Sequence, residues 1–170
     1  LIIGILAAIA LPAYQKSVWQ SRNAELKNIV GVVRQAADRY YMKTGRAPTS
    51  FQALDVVVPG TYSAEQNTSR YTISNNVCQL ANLGGGSILT GKNFQVVLNN
   101  SSDTAVPSVA AVWTDGPYKC GGFGWSQPWG RLRCIEHIAV GEAYRKFCTE
   151  IEGLPNNPEI STGWAKYEMN

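Results

Sequence analysis

The first fifteen residues, Leu1 to Gln15, carry no charge and run without a turn signal into an amphipathic pattern that lasts to about Thr44. An apolar helix with no polar face needs lipid or protein on every side. Three surroundings compete for it. Ala8-Ile9-Ala10 has the A-x-A form of a secretory cleavage site, but no basic region precedes it and the helical pattern continues straight through. A core helix would show a polar face by residue 10. The third reading is a helix held first in a membrane and later among copies of itself. Fifteen uncharged residues fall short of the ~20 that span a bilayer.

The second half of the pattern decides between them. Leu26, Ile29, Val30, Val33, Ala36, Ala37, Tyr40 and Tyr41 recur at spacings of three and four, which places them on one helical face. Arg22, Lys27, Arg34, Asp38 and Arg39 lie largely off it. The C-terminal half therefore packs on a domain, with Leu26, Ile29, Val30, Val33, Ala37 and Tyr40 as the contact to a sheet. The N-terminal half projects. From Ala13 to Thr44 such a helix is about 48 Å long, more than the domain it serves. Pro12 removes one backbone hydrogen bond and crowds the carbonyl of Ala8, and Gly4 is a weak helix former, so the stretch between them is kinked or melted.

These residues resemble a known family. Leu-Ile-Ile-Gly-Ile-Leu-Ala-Ala-Ile-Ala-Leu-Pro-Ala-Tyr-Gln is similar to the N-terminal helix of bacterial type IV pilins. Tyr40-Tyr41-Met42-Lys43-Thr44-Gly45-Arg46-Ala47-Pro48-Thr49-Ser50-Phe51-Gln52-Ala53-Leu54-Asp55 resembles the helix end and first loop of many pilins and pseudopilins. The resemblance implies a prepilin that is cleaved and N-methylated by a prepilin peptidase, held in the inner membrane, and polymerised by the pilus assembly machinery into an extracellular filament of identical subunits. Gly4 and Pro12 match the positions that bracket the unwound stretch of such filaments. The Phe-Thr-Leu-Ile-Glu-type start of the family, with its docking glutamate and methylated terminus, maps to no residue here.

Beyond the helix, Gly45 supplies a C-terminal cap and Pro48 blocks continuation. Ser50 to Leu54 reads as one helical turn with Phe51 and Leu54 inward. Short strands follow at Arg70–Ser74, Val77–Leu83, Phe94–Leu98, Val109–Thr114 and Leu132–Ile138, separated by Asn-, Gly- and Ser-rich turns. Val140, Ala143, Tyr144, Phe147 and Ile151 mark a short helix with Cys148 on its buried side, stopped by Gly153, Pro155 and Pro158. Trp164 to Met169 adds a last strand. The fold is expected to be α+β, a long N-terminal helix packed on an antiparallel sheet. Residues 1–25 form the protruding helix and 26–170 the globular head. Within the head, a loop spans about 45–69, the sheet about 70–138 and a disulfide-bearing region about 134–170.

Four cysteines at wide spacing, with no C-x-x-C pair, point to disulfides in an oxidising compartment. Of the three possible sets we take Cys134–Cys148 with Cys78–Cys120. The first closes a loop of about 15 residues and contributes ~3 kcal/mol in the chain-entropy model.

Catalytic patterns are weak. Gly86 to Asn93 nearly spells a phosphate-binding loop, but Asn93 stands where a Ser or Thr would hold magnesium and no helix pattern follows. His137 is the sole histidine, so no histidine-based triad or multi-histidine metal site can form. The acidic residues form no calcium loop. A net charge of +3 without a Lys/Arg cluster does not fit a nucleic-acid binder. Asn67-Thr-Ser69 and Asn99-Asn-Ser101 fit glycosylation sequons. Trp113, Trp125 and Trp129 are read as core rather than as an adhesive patch. No enzyme activity and no cofactor are expected. The expected role is a pilin-like structural subunit, with Leu1, Ile2, Ile3, Ile5, Leu6, Ile9 and Leu11 as the filament-core surface. Each contributes ~1.5–3 kcal/mol when removed from water. The alternatives are a minor pilin, a type II secretion pseudopilin, and a soluble secreted adhesive or binding domain.

Overall fold

The computed structural model describes residues 2–63, 71–74, 77–80, 87–98, 107–127, 130–137, 146–161 and 163–169; side chains are described for these except at 2–9, 63, 71–74, 77–80 and 161. One helix, α1 (Ile2–Thr44), runs for 43 residues, about 64 Å. It ends where Gly45 turns to φ 69° and donates its N–H to the Tyr41 carbonyl at 2.8 Å, a left-handed cap. The Thr44 hydroxyl donates to Tyr40 O at 2.9 Å and accepts from Arg46 N–H at 3.2 Å, closing the same end.

The helix runs without interruption across Gly4 to Pro12, the stretch expected to be kinked or melted. Proline forfeits the bond from its own nitrogen, but its fixed φ suits a helix and the bonds on either side still close.

Eight strands form one sheet in the order β1-β4-β5-β6-β7-β8-β10-β9, and every neighbouring pair is antiparallel. They are β1 (Thr61–Ser63), β4 (Ile88–Thr90), β5 (Phe94–Leu98), β6 (Ser108–Trp113), β7 (Gly121–Ser126), β8 (Arg133–His137), β9 (Glu159–Ser161) and β10 (Trp164–Glu168). From β4 to β8 the chain is a meander. A separate hairpin pairs β2 (Tyr71–Ser74) with β3 (Val77–Leu80), and β3 lies against β5 and β6. The α+β expectation holds. The sheet takes β1 from the first loop and β9 from the C-terminal region, next to β10, which stands where the last strand was expected.

Alternation assigns the sheet's two faces. Val96, Leu98, Val109, Ala111, Trp113, Phe123, Trp125, Cys134, Ala165 and Tyr167 join the buried cluster that holds α1. Ile88, Val97, Ala110, Val112, Cys120, Ile135 and Trp164 form a second buried cluster. Trp113 and Trp125 are thus core, while Trp129 and both sequons lie outside the described residues. The turn at Phe51–Ala53 buries Phe51, and Leu54 is also buried.

Four strands escaped the sequence reading: β1, β4, β7 and β9. Three of them have only three residues, too few for an alternation to show. The fourth, β7, reads Gly-Gly-Phe-Gly-Trp-Ser, a composition that suggests a loop. Its glycines are there because neighbours come close. A Cβ on Gly122 would lie 1.9 Å from the Ala111 carbonyl oxygen, and one on Gly121 2.7 Å from the Phe147 ring. Replacing Gly122 by alanine forces β6 and β7 apart. The expected cost is about 1–3 kcal/mol, read as a lowered urea midpoint; an unchanged midpoint would contradict the close approach.

Candidate functional site

Two features of the molecule bear on function: the free end of α1 and the C-terminal strap that grips the helix where it leaves the sheet. Residues 10–17 of α1 are exposed, with Leu11 at 58% and Tyr14 at 68%. Val18 and Trp19 are half-buried, and among the described side chains Asn23 is the first that is fully buried. From there Leu26, Val30, Val33 and Ala37 lie at 1% exposure or less, and Ala36 joins them. Ile29 and Tyr40 pack against the same core while partly exposed. Of the residues expected at a filament core, Leu11 is the one whose side chain is described. Leu1 and the side chains of Ile2, Ile3, Ile5, Leu6 and Ile9 lie outside the described set, so the free end is known here as helical backbone from Ile2.

Trp19 marks the exit point. Its ring meets Trp113 edge-on at 5.5 Å and Tyr118 at 5.0 Å, and the Arg22 guanidinium sits 5.0 Å from its centroid. Tyr118 continues to Phe147, and Phe147 to Phe123. Edge-on aromatic pairs each contribute ~0.5–1.5 kcal/mol beyond their area. Further along, Lys27 lies over Phe123 and Arg34 over Trp125, so the cations beside the apolar stripe stack on the sheet's inner aromatics.

The strap begins at a π-helical turn, Phe147–Ile151. Glu152 N–H bonds to Phe147 O at 3.1 Å and Leu154 N–H to Cys148 O at 3.0 Å. The wide turn fits a sequence that must bury Phe147, Cys148 and Ile151 together. Of the short helix expected from Val140, the part at 138–145 lies outside the described residues. A disulfide ties the turn to the sheet: Cys134 is bonded to Cys148, with Cα atoms 5.9 Å apart. Cys120 is also disulfide-bonded, while the Cys78 side chain is outside the described set. Two residues on from Cys134, and so on the same face of β8, the buried Glu136 accepts the Cys148 N–H and, at 3.4 Å, the Tyr167 hydroxyl. Gly121, opposite Glu136 in the register, leaves the space that Phe147 fills.

Past the turn the strap meets α1. Gln20 Nε2 donates to Ile151 O at 3.2 Å, and Asn23 Nδ2 donates to Glu152 Oε1 at 2.7 Å. Lys27 pairs with Glu152 Oε2. Asn23 Oδ1 accepts from Trp113 Nε1 at 3.1 Å. The indole can only donate, so the amide's orientation is fixed. Sequence reasoning passed over Gln20, Asn23, Glu136 and Glu152. A signal existed for one: Asn23 is four residues from Trp19 and three from Leu26, a polar residue among apolar positions that must find partners when buried.

Other polar groups serve the frame. Arg39 clamps Asp55 through two bonds of 2.8 and 2.6 Å, which pulls the Asp55 carboxyl below its usual range. Arg133 bridges Glu159 and Glu168, and Arg131 also reaches Glu168. Beside them a groove of about 520 Å³ runs between the strap and β10, lined by Leu154, Pro155, Pro158, Glu159, Lys166 and Tyr167. Burial lowers the Lys166 pKa there. The near-phosphate-loop segment is β4 and the tight turn into β5, where Gly91 N–H bonds to Phe94 O at 2.9 Å. His137 is buried, its ring edge-on to Trp164 at 4.9 Å. Burial lowers its pKa.

The chain is similar to fimbrial protein EcpC of Eikenella corrodens, at 46% identity over 55 residues. That match covers 32% of this chain and 36% of the fimbrial protein, so the chain spans about a third of the length of the curated relative it matches. No family model matches the chain, and no solved structure matches it. Among the described residues no helix is long and apolar enough to cross a membrane.

Two measurements probe this frame. Replacing Cys134 and Cys148 together by serine reopens a 14-residue separation. The expected loss is ~3 kcal/mol in the chain-entropy model, seen as faster hydrogen exchange at 147–154 than in β6; uniform exchange would contradict the stapling. His137 gives a pH dependence. Its folded pKa lies below the ordinary 6.5, so the unfolded chain binds the proton first. Its stabilising contribution is full above about pH 6.5 and is lost as pH falls through the folded value. Urea midpoints should drop from pH 7 to 5.5 in the natural chain and drop less in His137→Gln; equal drops would remove histidine as the cause.

Proposed function

We propose that this chain is a structural subunit of a type IV pilus-like fimbrial filament and that it polymerises through the N-terminal half of α1. Two observations support the reading. The sequence similarity is to a fimbrial protein. The helix projects from its sheet by the length of residues 2–17, about 24 Å, with exposed Leu11 and Tyr14 on its free end. The second observation carries the mechanism. An apolar helix that runs on past its sheet is covered when identical helices bundle, and each Ile or Leu so buried contributes ~1.5–3 kcal/mol relative to water. A head-to-tail contact with a non-closing rotation gives a helical filament rather than a ring.

Before assembly the same helix resides in the inner membrane, where lipid covers it. This step rests on the family resemblance. Leaving lipid for a protein bundle gains little from hydrophobicity, so close packing must drive it. Unwinding between Gly4 and Pro12 belongs to the filament form; the single chain is helical there. The subunit is structural and carries out no catalysis.

Replacing Ile5 or Ile9 by Asp should abolish filaments in negative-stain images of cell-surface material while leaving the urea midpoint of the head unchanged. Normal filaments from both variants would sink the bundle reading. An N-methylated residue upstream of Leu1 supports pilin processing, whereas a natural start near Leu11 to Ala13 would favour a secreted domain.

A further inference from the structure

We propose that Glu152 is the latch that fixes the direction in which α1 leaves the sheet, by holding Asn23 and Lys27 to the disulfide-anchored strap. The proposal rests on the filament reading for its consequence, not for its geometry.

Apolar contacts hold α1 down but direct it poorly. Leu26, Val30, Val33 and Ala37 form a stripe against β6 and β7, and the hydrophobic burial that holds it there is itself non-directional. Hydrogen bonds to fixed acceptors are directional. Gln20, Asn23 and Lys27 lie along one side of the helix at i, i+3 and i+7. All three reach the same two residues of the strap, Ile151 and Glu152. The Glu152 side chain is 6% exposed, so both carboxylate oxygens depend on these donors. Behind it the strap is held at Cys148 by a covalent bond to Cys134 and a hydrogen bond to Glu136. Trp113 closes the arrangement by fixing the far side of Asn23. The latch is thus tied to β6 through Trp113 and to β8 through Cys134 and Glu136.

Its position gives it leverage. Gln20 is the last α1 residue bonded to the strap, and the helix continues from there to Ile2 for about 27 Å. A tilt of about 10° at the exit displaces the tip sideways by about 5 Å, about half the ~8–10 Å that separates the axes of packed helices. A free end that wanders by this much loses close packing with a neighbouring helix. Fixing the angle pre-organises the free end and lowers the ordering cost of association.

The test measures direction and assembly separately. Nitroxide labels on non-canonical residues at positions 14 and 90, both exposed, report the helix-to-sheet distance by pulsed electron spin resonance on the purified full chain in detergent. Glu152→Ala should at least double the width of the distance distribution. Glu152→Gln keeps an acceptor for Asn23 and should widen it less. Arg39→Gln, at the far end of the helix, should leave it unchanged. The same Glu152→Ala chain should give at least tenfold fewer filaments from cells. A natural-chain width in folded Glu152→Ala overturns the latch. Widening with normal filament yield overturns its role in assembly. Widening while even the natural chain gives no filaments upholds the latch and removes the filament reading instead. Should Glu152→Ala not fold, Glu152→Gln and Lys27→Met carry the test, and unchanged widths in both overturn the proposal.

Discussion

The contact between one side of α1 and the inner face of the sheet is the interaction on which everything else in this protein depends. Five apolar helix residues at 1% exposure or less, Leu26, Val30, Val33, Ala36 and Ala37, share a buried cluster with Val, Leu, Ala, Cys and aromatic side chains drawn from β5, β6, β7, β8 and β10. A meander of short strands buries little by itself, and a lone helix of this length is amphipathic over only part of its course. Each covers the other. The second sheet face carries its own buried cluster around Val97, Val112 and Ile135. The contact also has a limit. It ends near Asn23, and the helix beyond it has to be held by other means.

Those means are polar and covalent, and they converge on the strap. The division suits the physics. Burial supplies bulk stability in proportion to area, whereas direction comes from groups with fixed geometry. Breaking the Lys27–Glu152 pair would leave a nearly buried carboxylate short of a donor, which explains why such a group is tolerable only as part of a complete set with Asn23.

Much of this architecture was legible in the residues because it rests on periodicity. The three-and-four spacing from Leu26 to Tyr40 marked the face that packs, and Gly45 marked where the helix stops. Short apolar runs rich in β-branched and aromatic residues between turn clusters, such as Phe94–Leu98, could be read directly. The glycine-rich β7 could not, since its composition reflects what its neighbours need: space for Phe147 and for the Ala111 carbonyl. The latch was illegible for another reason. Glu152 is 125 residues from Lys27, and no local pattern announces a polar pair closed over that separation. Only the burial of Asn23 among apolar positions hinted that a partner was needed.

The sheet's two outer strands, β1 and β9, have three residues each. An open sheet offers unpaired backbone groups to any strand that approaches, and long edges invite uncontrolled stacking. Here each edge is too short to hold a foreign strand in register. At β9, Glu159 is occupied by Arg133, which places charge where a flat hydrophobic edge would be a hazard. For a molecule proposed to add copies of itself in one direction, this matters as much as the helix. Sideways growth of the sheet is discouraged by its own borders, which leaves the proposed helix route without a competitor at these edges.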